Sequence, residues 1–269
     1  MSATLFPLAR AALEAARAAG RMTVFWWRDD DARRPTEPLT RLLALRRAAG
    51  VPLALAVIPD GIEAGLAEAL SGDEAVAVLL HGWRHANHAP EGQKRSEFGD
   101  HRPIGVMLDE AAAGRAALAG LFPGRFLPAF VPPWNRIGEG VRARLAEAGL
   151  PGLSTFGRTA SAGLHRLNTH LDLMNWREAR GRTPAEADRL LAAEIDRRLD
   201  SGGDGEPIGL LSHHLQHDEA AWALLGALLE FLAPGPDILW PPAQALFDLP
   251  LVGGAGEADA GADRSENRR

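Results

Sequence analysis

Residues 23–31 read Thr-Val-Phe-Trp-Trp-Arg-Asp-Asp-Asp, an apolar run that ends in an arginine and three consecutive carboxylates. A second stretch of the same form lies at 76–85, where Val-Ala-Val-Leu-Leu is followed by His-Gly-Trp-Arg-His. Apolar runs of this length are typical of buried strands, and the ends of parallel strands commonly carry the chemistry of α/β enzymes. Because three adjacent carboxylates repel one another, this end of the strand predicts a bound cation or proton.

The rest of the chain repeats the alternation of strand-like and helix-period runs. Predicted strands lie at 23–28, 53–58, 75–80, 126–131, 153–156, 164–168 and 207–211. Predicted helices lie at 4–19, 37–49, 61–70, 106–121, 138–149, 184–200 and 219–232. Repeated strand–helix units form a largely parallel sheet, and this rhythm favours a barrel over a sandwich. We therefore expect a single α/β barrel domain at 1–250, followed by a disordered tail at 251–269 that is rich in Gly, Ala, Asp, Glu and Arg.

Composition narrows the classes of function. The chain of 269 residues has 29 basic and 35 acidic residues, a net charge of −6, which argues against nucleic acid as a partner. It contains no cysteine, so any metal must be held by His, Asp or Glu. Neither a secretory signal nor an apolar run of about 20 residues is present, and we expect a soluble cytoplasmic protein without a membrane partner.

Two histidines follow the second apolar run. His81 and His85 are four residues apart, a spacing that places two imidazoles on one side of a helical turn and lets both reach one ion. Taken alone, the pair is more often hydrogen-bonded or solvated; its position after a buried strand favours a metal site. Residues 29–31 hold the matching position after the first strand, where the alternative for one of them is a helix N-cap.

Three further clusters follow apolar runs. Residues 212–218 include His213, which can act as a proton donor near neutral pH, whereas His217 and Asp218 are better read as the start of the next helix. Val-Pro-Pro-Trp at 131–134 closes another strand and offers a backbone donor and a broad ring. Asp172 and Trp176 add a carboxylate and an aromatic, and the polar stretch 85–103 predicts a long loop at the rim of a cleft.

In this order, the clusters resemble the five motifs of the polysaccharide deacetylase family, also called the NodB-homology or carbohydrate esterase 4 family. The matching positions are Asp30-Asp31, His81 with His85, Val131-Pro-Pro-Trp134, Asp172 with Trp176, and Leu211-Ser-His213. The resemblance spans roughly 23–218 and implies a distorted (β/α)7-type barrel. It also implies a metal-dependent hydrolase that removes the acetyl group of an N-acetylated sugar or a related small amide.

The resemblance assigns a role to each matching residue. Asp31, His81 and His85 would hold a divalent ion, by expectation Zn²⁺, and Asp30 would be the general base. His213 would protonate the departing amine, with Asp172 holding its tautomer, and the Trp134 N–H would stabilise the oxyanion. We expect the substrate, a small molecule or an oligosaccharide, to contact Arg28, Trp83, Pro133, Trp134 and Trp176.

Two departures from the family pattern leave alternatives open. The usual Thr-Phe-Asp-Asp-Gly reads Arg-Asp-Asp-Asp-Ala at 28–32, so the catalytic pair could be Asp29-Asp30. The arginine of the third motif falls at Val131 and is missing; Arg28 or Arg136 could reach the same carboxylate. The competing interpretations are a catalytically inactive binding or regulatory protein and a cytoplasmic hydrolase of a non-sugar amide.

Overall fold

The computed structural model describes residues 5–158, 163–200 and 206–253. Its strands are β1 (Thr23–Ala32), β2 (Leu53–Val57), β3 (Val76–His81), β4 (Phe126–Val131), β5 (Gly152–Leu153), β6 (His165–Arg166), β7 (Leu171–Asp172), β8 (Met174–Asn175), β9 (Arg180–Gly181), β10 (Ile208–Ser212) and β11 (Ile238–Leu239). Its α-helices are α1 (Pro7–Ala18), α2 (Glu37–Ala49), α3 (Gly65–Leu70), α4 (Ile104–Leu121), α5 (Glu139–Arg142), α6 (Pro184–Asp200), α7 (Glu219–Phe231) and α8 (Ala243–Phe247). The tail predicted at 251–269 lies outside the described residues from 254 onward.

The main sheet is parallel and follows the order β6, β5, β4, β3, β2, β1, β10, β7, with β11 beside the first residues of β1. The strands β6 and β7 belong to one extended segment, 165–172, which pairs with β5 at its start and with β10 at its end. Within it the Thr169 N–H donates to Thr155, and the next N–H, of His170, donates to Gly209. The sheet therefore curls into a distorted barrel whose strands end at one rim.

Alternate residues of the strands face two different layers of the core. In β2, Leu53, Leu55 and Val57 pack in the large cluster that includes the helices. Ala54 and Ala56 instead pack in a smaller cluster with Trp26 and with Phe247 of α8. Because both faces are covered, β2 and β3 are buried throughout, which explains why these strands read as continuous apolar runs.

The predicted barrel is confirmed, since the seven predicted strands match β1 to β5, the segment 165–172 and β10. Two local predictions were wrong. Residues 29–31 lie inside β1 rather than after it, and the helix predicted at 138–149 is divided into α5 and a 3₁₀ turn at Leu145–Ala148. Among the described residues, no helix has the length and apolar character needed to cross a membrane.

Candidate metal centre and active site

A bulge near the end of β1 determines where its carboxylates point. In a regular strand Asp29 and Asp31 would share one face, and Arg28 and Asp30 the other. The pairing of β1 with β2 slips between Asp29 and Ala32, and Asp31 adopts a left-handed φ of 76°. Asp31 consequently lines the same cavity as Asp30.

Asp31, His81 and His85 converge on one point. Their ligand atoms all lie within 4.8 Å of one another, with Asp31 Oδ1 at 3.1 Å from His81 Nε2 and 3.3 Å from His85 Nε2. His81 Nδ1 lies 2.9 Å from the Val131 carbonyl, which can only accept, so Nδ1 carries a proton. In a neutral ring, the lone pair of His81 Nε2 then points at Asp31 Oδ1, which is also an acceptor. The contact is a hydrogen bond only if Nε2 is protonated as well.

A cation or a second proton must relieve this contact between two acceptors. Burial lowers the pKa of His81, but the Asp30 and Asp31 carboxylates outweigh burial and raise it overall. Burial raises the pKa of Asp31, yet its contacts with His81 and the nearby imidazole charges bring it well below the usual range. One carboxylate and two imidazoles, with the His81 ring oriented by a backbone carbonyl, form a donor set that fits a divalent ion.

The turn that carries His85 is not helical, contrary to the geometry expected from the four-residue spacing. His85 has a φ of 59°, and Gly82 has a φ of 56°. A Cβ at residue 82 would lie 2.2 Å from Glu97 Oε2 and 2.5 Å from Pro133 Cγ, so this position requires glycine. The two imidazoles meet because a tight turn follows β3, not because they share a helix face.

Glu97 holds this turn, and the sequence analysis did not single it out. Its buried carboxylate accepts hydrogen bonds from the N–H groups of Trp83, Arg84 and Ala86, at 3.1, 2.7 and 3.3 Å. The neighbouring Phe98 is fully buried, with its ring 4.8 Å from that of Phe130. The loop predicted at 85–103 is thus anchored in the core, and only its polar composition could have drawn attention to Glu97.

His213 lies between two carboxylates across the cavity. Its Nε2 is 3.9 Å from Asp30 Oδ2, and its Nδ1 is 3.9 Å from Asp172 Oδ1. Asp172 is fixed by the Trp176 indole N–H at 2.7 Å and by the Met174 N–H at 2.9 Å. Burial raises the pKa of Asp172, and the charge of His213 offsets part of that rise. Asp172 thus lies within ion-pair distance of His213 Nδ1 but does not form a hydrogen bond with it.

The cavity that joins these groups has a volume of about 610 Å³. Its aromatic wall consists of Trp134, Phe156 and Trp176. Trp134, one of the predicted substrate contacts, has a φ of 55°, and its ring lies 4.4 Å from that of His85.

Two other predicted contacts, Trp83 and Pro133, are not among the described residues that line the cavity. Trp83 packs half-buried against the hydrophobic core, and Pro133 is buried beside Gly82. We therefore correct both assignments.

Comparison with solved structures identifies the fold. A protein described as a polysaccharide deacetylase from Mycobacterium smegmatis matches with a TM-score of 0.61 at 17% identity, over 85% of this chain and 90% of that one. The chain has the polysaccharide deacetylase fold. A family 4 carbohydrate esterase from Streptomyces lividans, in complex with acetate, matches with a TM-score of 0.52 at 16% identity, over 86% of this chain and 97% of that one. The Xyl-CE4 domain of a multidomain xylanase from the hindgut metagenome of Trinervitermes trinervoides matches with a TM-score of 0.53 at 11% identity, over 85% and 91% of the two chains.

No family model matches the sequence, and no curated protein matches it either. At identities of 17%, 16% and 11%, these structural matches show the fold alone.

Within this polysaccharide deacetylase fold, Arg28 is the cationic partner of Asp30. Its guanidinium forms a two-point ion pair with Asp30, with Nε 2.8 Å from Oδ1 and an NH group 3.0 Å from Oδ2. The remaining donors reach Ser154 at 2.6 Å and Asn135 at 2.7 Å. Of the two alternatives for the missing arginine, the geometry favours Arg28, because Arg136 forms no ion pair with Asp30 and donates instead to the Arg95 carbonyl at 2.8 Å.

This arrangement corrects the expected substrate contact of Arg28. Its side chain is 0% exposed, and the groups around it already occupy its guanidinium. Arg28 contacts Asp30, Ser154 and Asn135 and is not among the described residues that line the cavity.

Asp29 has an environment different from that of Asp30 and Asp31. This difference bears on whether the pair of the first motif is Asp29-Asp30 or Asp30-Asp31. It is 0% exposed and accepts hydrogen bonds from the Ser212 hydroxyl, the His214 backbone and the His214 ring. Burial raises the pKa of Asp29, but the charge and hydrogen bond of His214 lower it by more. Since Asp29 does not line the cavity whereas Asp30 and Asp31 do, the geometry favours the Asp30-Asp31 pair.

Proposed function

We propose that this protein is a metal-dependent hydrolase that cleaves a C–N amide bond and removes the acetyl group of an N-acetylated sugar or a related small amide. The single observation that carries the proposal is the shared cavity. It brings the Asp31-His81-His85 cluster and the Asp30-His213 pair together, and these two groups are what hydrolysis of an acyl bond requires.

Asp31, His81 and His85 would hold the ion, and we propose zinc because carboxylate and imidazole are ligands that zinc accepts. When bound, such an ion lowers the pKa of water and polarises a carbonyl oxygen. The site keeps room for water and substrate, since the described residues contribute only three ligands.

The residues of the chain then divide the proton transfers. Asp30 accepts a proton from water at its carboxylate, which the buried Arg28 holds in a fixed orientation. His213 donates a proton from Nε2 to the departing amine, and Asp172 faces its Nδ1 at 3.9 Å. Because His213 Nε2 and Asp30 Oδ2 are 3.9 Å apart, base and acid act on the same small region of the cavity.

The walls of the cavity suit a ring-shaped substrate. Trp134, Phe156 and Trp176 line it, and Trp176 is 52% exposed, which leaves its ring available for stacking. The similarly folded Streptomyces lividans esterase was solved in complex with acetate, and acetate is the acid that deacetylation releases. The cytoplasmic location remains a prediction from the sequence.

Acetate release from chito-oligosaccharides and from a panel of small N-acetylated amines tests this proposal. We expect release from zinc-loaded protein, loss of release on chelation and recovery on reloading. Asp30→Asn should reduce the turnover rate by about 10²-fold or more while the protein keeps its metal, because a positioned base contributes about that much. Arg144→Ala, which removes a surface arginine paired with Glu147, is the matched control and should leave release unchanged. Release that is indifferent to chelation would overturn the proposal.

The inactive interpretation rested on the missing third-motif arginine. The ion pair between Arg28 and Asp30 removes that reason, because Asp30 has a buried cationic partner two residues earlier in the same strand. If zinc-loaded protein bound N-acetylated amines and hydrolysed none of them, the binding-protein interpretation would replace the proposed hydrolase.

A further inference from the structure

Three arginines line the cavity that holds the candidate active site: Arg95, Arg136 and Arg182. Arg182 is anchored by its Nε, which donates to the Asp172 carbonyl at 2.8 Å, beside the carboxylate that faces His213. Arg136 donates to the carbonyl of Arg95 at 2.8 Å, so the other two arginines are held next to each other.

None of these three guanidinium groups forms an ion pair with a carboxylate of the described residues within 4.0 Å. Arginines elsewhere on the surface have such partners, for example Arg144 with Glu147 and Arg41 with Glu219. Three guanidinium groups without a carboxylate partner in the described part of the chain therefore line one cavity, in a chain whose net charge is −6.

The carboxylates inside the cavity do not neutralise the three arginines. Asp30 is occupied by the buried Arg28, and Asp31 faces the two histidines of the metal cluster. Asp172 accepts from Trp176 and Met174 and faces His213. The guanidinium donors of the wall consequently remain available to a ligand.

We propose that the substrate carries an anionic group, a phosphate or a carboxylate, on the amine part that remains after the acetyl group has left. This inference rests on the proposed function, because it assigns the substrate of that site. Arg182 is next to the Asp172–His213 pair, the proton donor to the departing amine, so the anion belongs on the amine side. A guanidinium fork binds both phosphate and carboxylate through two parallel hydrogen bonds.

Calorimetric titration of the full-length protein with deacetylated amines tests the inference without relying on turnover. The probes are glucosamine, glucosamine 6-phosphate and the corresponding 6-carboxylate, with inorganic phosphate as a separate titration. We expect one of the anionic amines to bind at least about tenfold more tightly than glucosamine, since a charge-assisted hydrogen bond contributes at least that factor. Whichever of the two anionic amines binds more tightly, the 6-phosphate or the 6-carboxylate, identifies the anionic group of the substrate.

Substitutions then assign the preference to the arginines. Arg182→Gln and Arg136→Gln should each reduce the ratio of anionic to neutral affinity several-fold, and Arg144→Gln should leave it unchanged. Arg95→Gln alters an exposed side chain and provides a further variant if substitution of the half-buried Arg182 prevents folding. Equal affinity for neutral and anionic amines, no binding of either anionic amine, or a ratio that the three cavity variants leave unchanged would overturn the inference.

The failure of this inference is distinguishable from failure of the proposed hydrolase. If the anionic preference is found but the corresponding acetylated compounds release no acetate, the cavity binds an anionic amine and the proposed hydrolysis fails. If acetate is released with metal dependence and the affinities show no preference for anions, only the assignment of an anionic substrate fails.

Discussion

The three consecutive aspartates of β1 have three different partners. Asp29 accepts from His214, Asp30 is paired with Arg28, and Asp31 faces His81 and His85. Each carboxylate has a positive or metal-binding neighbour of its own, which removes the mutual repulsion that made the sequence unusual.

Removal of Arg28 should leave the Asp30 carboxylate buried and unpaired. We expect Arg28→Met to lower the free energy of unfolding by about 3–5 kcal/mol, the usual cost of breaking a buried ion pair from one side. The double variant Arg28→Met/Asp30→Asn should recover part of this loss, because it removes both charges. Urea denaturation measures all three proteins. A double variant less stable than Arg28→Met would contradict the pairing.

The Asp29–His214 pair predicts a pH dependence of stability. The pKa of Asp29 is lowered from 3.8, so its contribution is present above that pH and is lost as the pH falls through the folded-state value. Burial lowers the pKa of His214, but Asp29 raises it by more, from 6.5, so its contribution is present below pH 6.5 and is lost as the pH rises through the higher folded-state value. The pair stabilises the fold most in the window between these two losses.

Chelator-treated wild-type and Asp29→Asn proteins allow the measurement. We expect the difference between their free energies of unfolding to be larger near about pH 6 than near about pH 9, because the contribution of His214 is present below pH 6.5 and is lost as the pH rises through its raised folded-state pKa. A difference that grows with pH would mean that His214 is not charged in the folded protein.

At the scale of elements, the bulge in β1 is the feature that forms the candidate metal site. Asp31 has a φ of 76°, a conformation that costs a residue with a Cβ about 1–2 kcal/mol and costs glycine little. In chelator-treated protein, we expect Asp31→Gly to be more stable than Asp31→Ala by about 1 kcal/mol, as measured by urea denaturation.

The matched control is Asp109, an exposed residue in the interior of α4. There the order should reverse, with Asp109→Gly less stable than Asp109→Ala by about 1 kcal/mol, because glycine is the weaker helix former. The same order at both positions would show that Asp31 does not adopt the left-handed conformation in solution.

The two segments that carry the candidate metal ligands, β1 and the turn after β3, illustrate what the sequence could and could not predict. The apolar runs before Asp29 and His81 predicted buried strands correctly, since strands covered on both faces have that pattern. The bulge depends on a single dihedral angle and leaves no pattern in the sequence. The turn at 82–86 depends on Glu97, which lies in a polar loop without periodicity.

At the scale of the whole molecule, the parallel topology brings the motifs together. Strands of a parallel barrel all end at one rim, so clusters that follow separate apolar runs have to converge there. This rule made the barrel and its candidate site predictable from motif order. The short strand Leu171–Asp172 was not predicted. The segment 165–172 pairs with β5 at its start and with β10 only at its end, and this change of partner has no signature in the sequence.

The cationic partner of Asp30 could not be chosen from the sequence alone. Arg28 and Arg136 were both open possibilities, since a guanidinium can approach a carboxylate from several directions. In the structure, Arg28 and Asp30 lie on the same face of β1. Asn135 accepts a hydrogen bond from the Arg28 guanidinium, which holds it against Asp30.

We propose that Asp31, His81 and His85 hold a divalent ion beside Asp30, the proposed base. Elemental analysis after zinc loading and dialysis measures the metal content per chain of wild type, Asp30→Asn and His81→Ala, each verified as folded. We predict about one zinc per chain in the wild type and in Asp30→Asn, and less than about a tenth of that in His81→Ala, which loses one of three ligands. A wild type that retains no zinc, or a His81→Ala variant that retains the full amount, would contradict the account.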